Sequence, residues 1–129
     1  MGRYYDGDIE GKFWFGIQDS SDGDFFGKNH VVSEIGWEYS KKDLPKIEEG
    51  LEKCKANLDE FLSGFYQFFV ENDGYNDEML LEFFNKHDNK YSIKLIRKKL
   101  TWYARLLLGK QIQECVKDNE TCYFRTSDV

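Results

Sequence analysis

Odd positions from Ile9 to Ile17 read Ile9, Gly11, Phe13, Phe15 and Ile17, and the even ones between them Glu10, Lys12, Trp14 and Gly16. A period of two predicts a strand whose odd face meets the core. The polar stretch from Asp19 to Gly27 predicts a loop, and it ends in the adjacent rings of Phe25 and Phe26. Alternation returns from Val31 to Tyr39, with Val31, Ser33, Ile35, Trp37 and Tyr39 on one side. The two strands are expected to pair as an antiparallel hairpin. Their connection is long for a hairpin and is expected to pack back onto the body or onto a partner.

Beyond Tyr39 the period changes. Pro45 follows Asp43 and suits the first turn of a helix capped by Asp43. Apolar residues then fall at Ile47, Leu51, Cys54, Leu58, Phe61, Phe65 and Phe68, in steps of four and three, which predicts one long helix with a coiled-coil type seam. It should end near Asn72-Asp73-Gly74. A shorter helix, capped by Asn76 or Asp77, carries Met79, Leu80, Phe83 and Phe84 and stops at Asp88-Asn89-Lys90. A third starts at Ser92 and buries Ile93, Ile96, Leu100, Tyr103 and Leu107, with Gly109 as a candidate stop. Ile112, Cys115 and Val116 fit a continuing helix, whereas Ile112, Glu114 and Val116 fit a strand; helix through Val116 is the reading taken. A turn at 117–120 then leads into a last strand from Thr121 to Thr126. The expected fold class is α+β: a small antiparallel sheet, made of the N-terminal hairpin and the C-terminal strand, packed against two longer helices and one short helix.

Composition narrows the class. A chain of 129 residues with 40% apolar and 17% aromatic residues is sized for one hydrophobic core and lies outside the disordered class, so residues 1–129 are expected to form a single domain. No apolar run approaches membrane-spanning length and the N-terminus lacks the apolar stretch of a signal peptide, so an intracellular, soluble protein with no membrane partner is expected. The three cysteines, Cys54, Cys115 and Cys122, are an odd number without a close metal-ligand pair, and are expected to be buried thiols.

Charge is unevenly distributed. Residues 1–89 hold 9 Lys/Arg against 20 Asp/Glu, a net of -11, and residues 90–129 hold 9 against 4, a net of +5. Between Lys90 and Gln113 there are seven cations and no carboxylate. The acidic body opposes binding to long nucleic acid, while a small phosphorylated ligand at one basic patch is compatible with it. The plain alternative is a solvated helix face paired with acidic surface nearby.

Two groups of residues suit a nucleotide. The first is Glu10, Lys12, Trp14 and Gln18 on the even face of the first strand, preceded by Arg3, Tyr4 and Tyr5: rings stack on bases, cations meet phosphates, and carboxylate or amide groups read base and sugar edges. The same types also make an ordinary exposed sheet face. The second is Arg97, Thr101 and Arg105, spaced to line one helical stripe, with Lys94 and Lys98 beside them. Catalytic signals are weak. His30 and His87 stand in no metal-binding spacing, and the acids Asp19, Asp22 and Asp24 lack the glutamate of a calcium loop, since His30 takes its place. There is no nucleophile elbow and no phosphate-binding loop.

The opening Gly-Arg-Tyr-Tyr-Asp-Gly-Asp-Ile-Glu-Gly-Lys-Phe-Trp-Phe-Gly, continued by Gln18-Asp19-Ser20-Ser21 and Phe25-Phe26-Gly27, resembles the start of small proteins encoded by bacteriophages and large DNA viruses; Asn72-Asp73-Gly74-Tyr75-Asn76 is a second such piece. The likeness covers the N-terminal third well and the rest loosely. The family it is similar to is the viral sponge proteins that sequester the cyclic oligonucleotide signals of CBASS immunity. That resemblance implies a homo-oligomer in the cytoplasm of an infected host cell, a cyclic dinucleotide bound without cleavage, and no metal or cofactor. The expected ligand-binding set is Arg3, Tyr4, Tyr5, Glu10, Lys12, Trp14, Gln18, Arg97, Thr101 and Arg105, with the long amphipathic helix as the oligomer seam. The acidic balance is the departure that weighs against an anionic ligand. An acidic protein-interaction module that blocks a basic nucleic-acid-binding enzyme is the alternative, and a metal-independent phosphodiesterase the third reading.

Overall fold

The computed structural model describes residues 3–12, 25–27 and 36–128. Strand β1 (Arg3–Gly7) turns into the two-residue β2 (Gly11–Lys12); β3 (Gly36–Ser40) leads through a single 3-10 turn (Lys41–Asp43) into helix α1 (Leu44–Leu58). Helices α2 (Phe61–Glu71), α3 (Asp77–Asn85) and α4 (Ile93–Asn119) follow, and β4 (Thr121–Asp128) closes the chain. The α+β class is the one the chain adopts. The strands form one antiparallel sheet in the order β2-β1-β4-β3, with the C-terminal strand in its middle.

The register explains the sheet's buried face. Trp37 lies opposite Phe124 and Tyr39 opposite Cys122, and all four are buried. Tyr5, Trp37 and Tyr39 each meet the Phe124 ring, at centroid distances of 5.5, 5.2 and 6.0 Å. Alternation places Glu38 on the exposed side between Trp37 and Tyr39. These four aromatic rings form one cluster on the sheet's buried face.

Three expectations about the elements change. The first strand begins at Arg3, and Ile9 sits in the turn between β1 and β2, although it is buried and Glu10 exposed as the alternation required. The expected hairpin falls largely on residues outside the described ones; of its described parts, β2 pairs with β1 and β3 with β4, at opposite edges of the sheet. The single long helix is two. Asp59 takes φ 55° and ψ -129°, which ends α1, so four helices stand among the described residues where three were expected. The break leaves the Asn57 carbonyl without its helical donor, and the Lys99 ammonium of α4 donates to it.

The apolar seam survives the break because Ile47, Leu51, Cys54, Leu58, Phe61, Phe65 and Phe68 are all buried within the chain itself. The seam is therefore internal, and the expectation that it forms an oligomer contact is corrected. Phe61, Phe65, Phe84 and Tyr103 join α2, α3 and α4 in one aromatic cluster with centroids 4.9 to 6.2 Å apart along the contacts. Capping follows the sequence where a side chain can reach: Asn76 Oδ1 accepts from Met79 N at 2.8 Å and Ser92 Oγ from Leu95 N at 3.2 Å. Asp43 differs, since its carboxylate accepts from the Ser40 amide and serves the preceding turn. Gly109 does not stop α4. It is buried inside the helix, where an added Cβ would collide with the Phe26 ring. No described helix is long and apolar enough to cross a membrane.

Candidate ligand-binding site

Seven-residue steps along α4 run through Lys94, Thr101, Leu108 and Cys115, one stripe with only a slow drift around the axis. Cys115 is bonded to Cys122 of β4, so this flank is the one the sheet meets. In its C-terminal half the stripe is apolar and buried through Leu108, Ile112 and Cys115. In its N-terminal half it is cationic: Lys94, Arg97 and Lys98 are exposed, and Thr101 and Arg105 half-buried. Ser92, Lys94, Leu95, Arg97, Lys98 and Thr101 line a shallow, open depression of about 510 Å³ there.

Each cation on the stripe has its own surroundings. Arg97 is held by Asp77, the first residue of α3, with nitrogen-to-oxygen distances of 2.8 to 3.0 Å. Thr101 donates its hydroxyl to the Arg97 carbonyl at 3.1 Å, and so its oxygen remains able to accept. The Arg105 guanidinium lies 4.8 Å from the Phe25 ring centre and 4.7 Å from that of Trp102, in the angle between two rings that meet edge to face. Cation–π attraction of this kind holds the guanidinium at the two rings. Beside Arg97, burial raises the Tyr75 hydroxyl above its ordinary value of 10.0, and the guanidinium works in the opposite direction.

The expected ligand set is only partly assembled. Arg97, Thr101 and Arg105 do share one stripe, but Arg97 is engaged by a carboxylate. Tyr5 is 4% exposed and packs edge-on against Phe124, so it belongs to the core and is removed from the stacking residues. Glu10 is exposed at the end of the β1–β2 turn. Arg3 and Tyr4 lie in β1 with backbone partners Asp128 and Ser127, and Lys12 pairs with Tyr4 across to β2. Trp14 and Gln18, like His30 and the acids Asp19, Asp22 and Asp24, lie outside the described residues. His87 is exposed.

Sequence reasoning missed Phe25 and Trp102 as partners of Arg105. Trp102 stands three residues before Arg105, a spacing that puts the two on neighbouring ground along a helix. It also took Cys115 and Cys122 for separate thiols, whereas they form a disulfide with Cα atoms 5.6 Å apart; Cys54 is buried, as expected. No family model, curated protein or solved structure matches the chain.

Proposed function

We propose that the chain is a capture protein for a small phosphorylated heterocycle of the cyclic dinucleotide class, which it binds without cleaving. The observation that carries the reading is the composition of one α4 flank: a stripe free of carboxylates, cationic in its N-terminal half, with a guanidinium seated in the angle between two aromatic rings. Lys94 and Lys98 meet phosphate oxygens, Thr101 accepts from a sugar hydroxyl or base N–H at the same level, and Arg105 with Trp102 offers a stacking surface for a base. Capture needs affinity and no turnover, and charge-assisted bonds with stacking supply several kcal/mol. The protein acts as a homo-oligomer in the cytoplasm of an infected cell, its contact being the outward face of α2, where Tyr66 and Val70 are 55% and 77% exposed.

The test is incubation with a panel of cyclic di- and trinucleotides, removal of free ligand, denaturation and chromatography of what is released. Intact ligand supports capture; linear product means hydrolysis, and nothing released removes the reading. One observation favours the alternative, an acidic module that docks on a basic enzyme. The depression on that α2 face is lined by Asp59 beside Tyr66 and Val70, and Gln67 in its lining donates to Glu71 at 2.7 Å, so the strip is bordered by carboxylates. Salt-sensitive association with a basic nucleic-acid-binding enzyme, and no nucleotide binding, would favour it.

A further inference from the structure

Asp8, near the start of the chain, meets a cysteine pair seven residues apart where the last turn of α4 meets the sheet. A carboxylate oxygen of Asp8 and the sulfurs of Cys115 and Cys122 all lie within 4.8 Å of one another. The cysteines are buried and Asp8 is exposed, so the group has an apolar floor and an opening to solvent. We propose that, once the disulfide is reduced, Asp8, Cys115 and Cys122 form a binding site for a thiophilic divalent cation of the zinc class.

Local backbone geometry supports the assignment. Asp8 is clamped to β4 by two reciprocal bonds: its amide donates to the Tyr123 carbonyl at 2.8 Å, and its Oδ2 accepts from the Tyr123 amide at 2.9 Å. A carboxylate oriented by a backbone donor is the kind of outer support that ligating carboxylates have in metal sites. Gly7 makes the approach feasible, since it takes φ +117° and a Cβ there would lie 2.7 Å from the Tyr123 oxygen. On the other side, the Asn119 side-chain amide approaches the Cys115 sulfur at 4.0 Å. Two thiolates and one carboxylate leave a fourth tetrahedral position for water. Zinc–sulfur bonds of about 2.3 Å would set the sulfurs about 3.8 Å apart, so the reduced pair moves apart from its bonded position to take the cation.

The chemistry balances with a low-molecular-weight thiol as reductant. Two RSH reduce the Cys115–Cys122 bond to two thiols and become RSSR; the cation then displaces the two thiol protons, which pass to solvent. Oxidised, the pair is a clasp between α4 and β4; reduced, it exchanges the clasp for a chelate that joins the same two elements and the β1–β2 turn.

Cobalt(II) serves as the probe, added to the full chain after reduction and removal of reductant. The expected result is one equivalent bound, with sulfur-to-cobalt charge-transfer absorption, displaced by zinc. Asp8→Asn, which keeps an acceptor for the Tyr123 amide, should weaken binding at least about tenfold while leaving the circular dichroism spectrum unchanged. Cys122→Ser should abolish the charge-transfer band at one equivalent, and Cys54→Ser should leave it intact. Absence of the band in the reduced native chain, its persistence in Cys122→Ser, or its loss in Cys54→Ser would overturn the proposal. If Cys122→Ser fails to fold, the native chain kept oxidised is the control, and binding to it at equal affinity overturns the proposal as well.

Discussion

Arg97 on α4 and Asp77 at the start of α3 form a forked pair, Nε and Nη2 donating to Oδ1 at 3.0 and 2.8 Å and Nη2 also to Oδ2 at 2.8 Å. The contact spends the strongest anion-binding group of the stripe on the protein's own carboxylate. Asp77→Asn should therefore release the guanidinium and raise affinity for an anionic ligand several-fold. The pair is solvent-exposed, with side chains 63% and 44% accessible, so the loss of stability should be only about 0.5 kcal/mol. Calorimetric titration and thermal unfolding of the variant check the two halves separately.

Gly109 sets helix propensity against packing. Alanine would favour the helix by about 1 kcal/mol, but its Cβ would enter the Phe26 ring and come 2.8 Å from Leu51 Cδ2. Overpacking of a buried site costs about 1 to 3 kcal/mol. Gly109→Ala is expected to lower the unfolding midpoint, and adding Phe26→Leu should recover part of the loss.

Asp59 is a non-glycine residue in a region of φ and ψ that glycine enters freely, and it is exposed. Backbone strain of this kind costs about 1 to 3 kcal/mol, against about 0.5 to 1 kcal/mol of extra chain entropy when glycine is introduced. Asp59→Gly should raise stability by about 1 kcal/mol, read as an upward shift in the denaturant midpoint.

The break at Asp59 shows how far the pattern of apolar positions reaches. The seam from Ile47 to Phe68 was legible and every member is buried, because burial follows the period whether or not the helix is continuous. The break was not legible, since no proline or glycine marks it and its support comes from Lys99, more than forty residues away in sequence. Nor was β1: Arg3 to Gly7 shows no alternation, and its partner β4 lies at the other end of the chain. The site divides in the same way. The cationic stripe follows from spacing within one helix, whereas the Asp77 contact, the Phe25 contact and the burial of Tyr5 depend on which elements become neighbours.

Tyr103 links the core to pH. Burial raises its hydroxyl above the ordinary 10.0, because the tyrosinate would lose hydration among the rings of α2. Above that ordinary value the unfolded chain releases the proton while the native state retains it. The stabilisation is therefore complete below about pH 10 and is lost as pH rises through the raised native value. Denaturant midpoints measured from about pH 9 upward should fall less steeply in Tyr103→Phe than in the native chain, with a residual slope from Tyr75 and Tyr91, which are raised as well.

Isothermal calorimetry of the native chain and of the double variant Lys94→Ala/Lys98→Ala against a cyclic dinucleotide tests the capture reading most directly. Capture at the stripe predicts saturable binding to the native chain without product formation, and a loss of at least about tenfold in affinity when the two ammonium groups are removed. Equal affinity in the double variant, or no binding of any cyclic dinucleotide by the native chain, would contradict it.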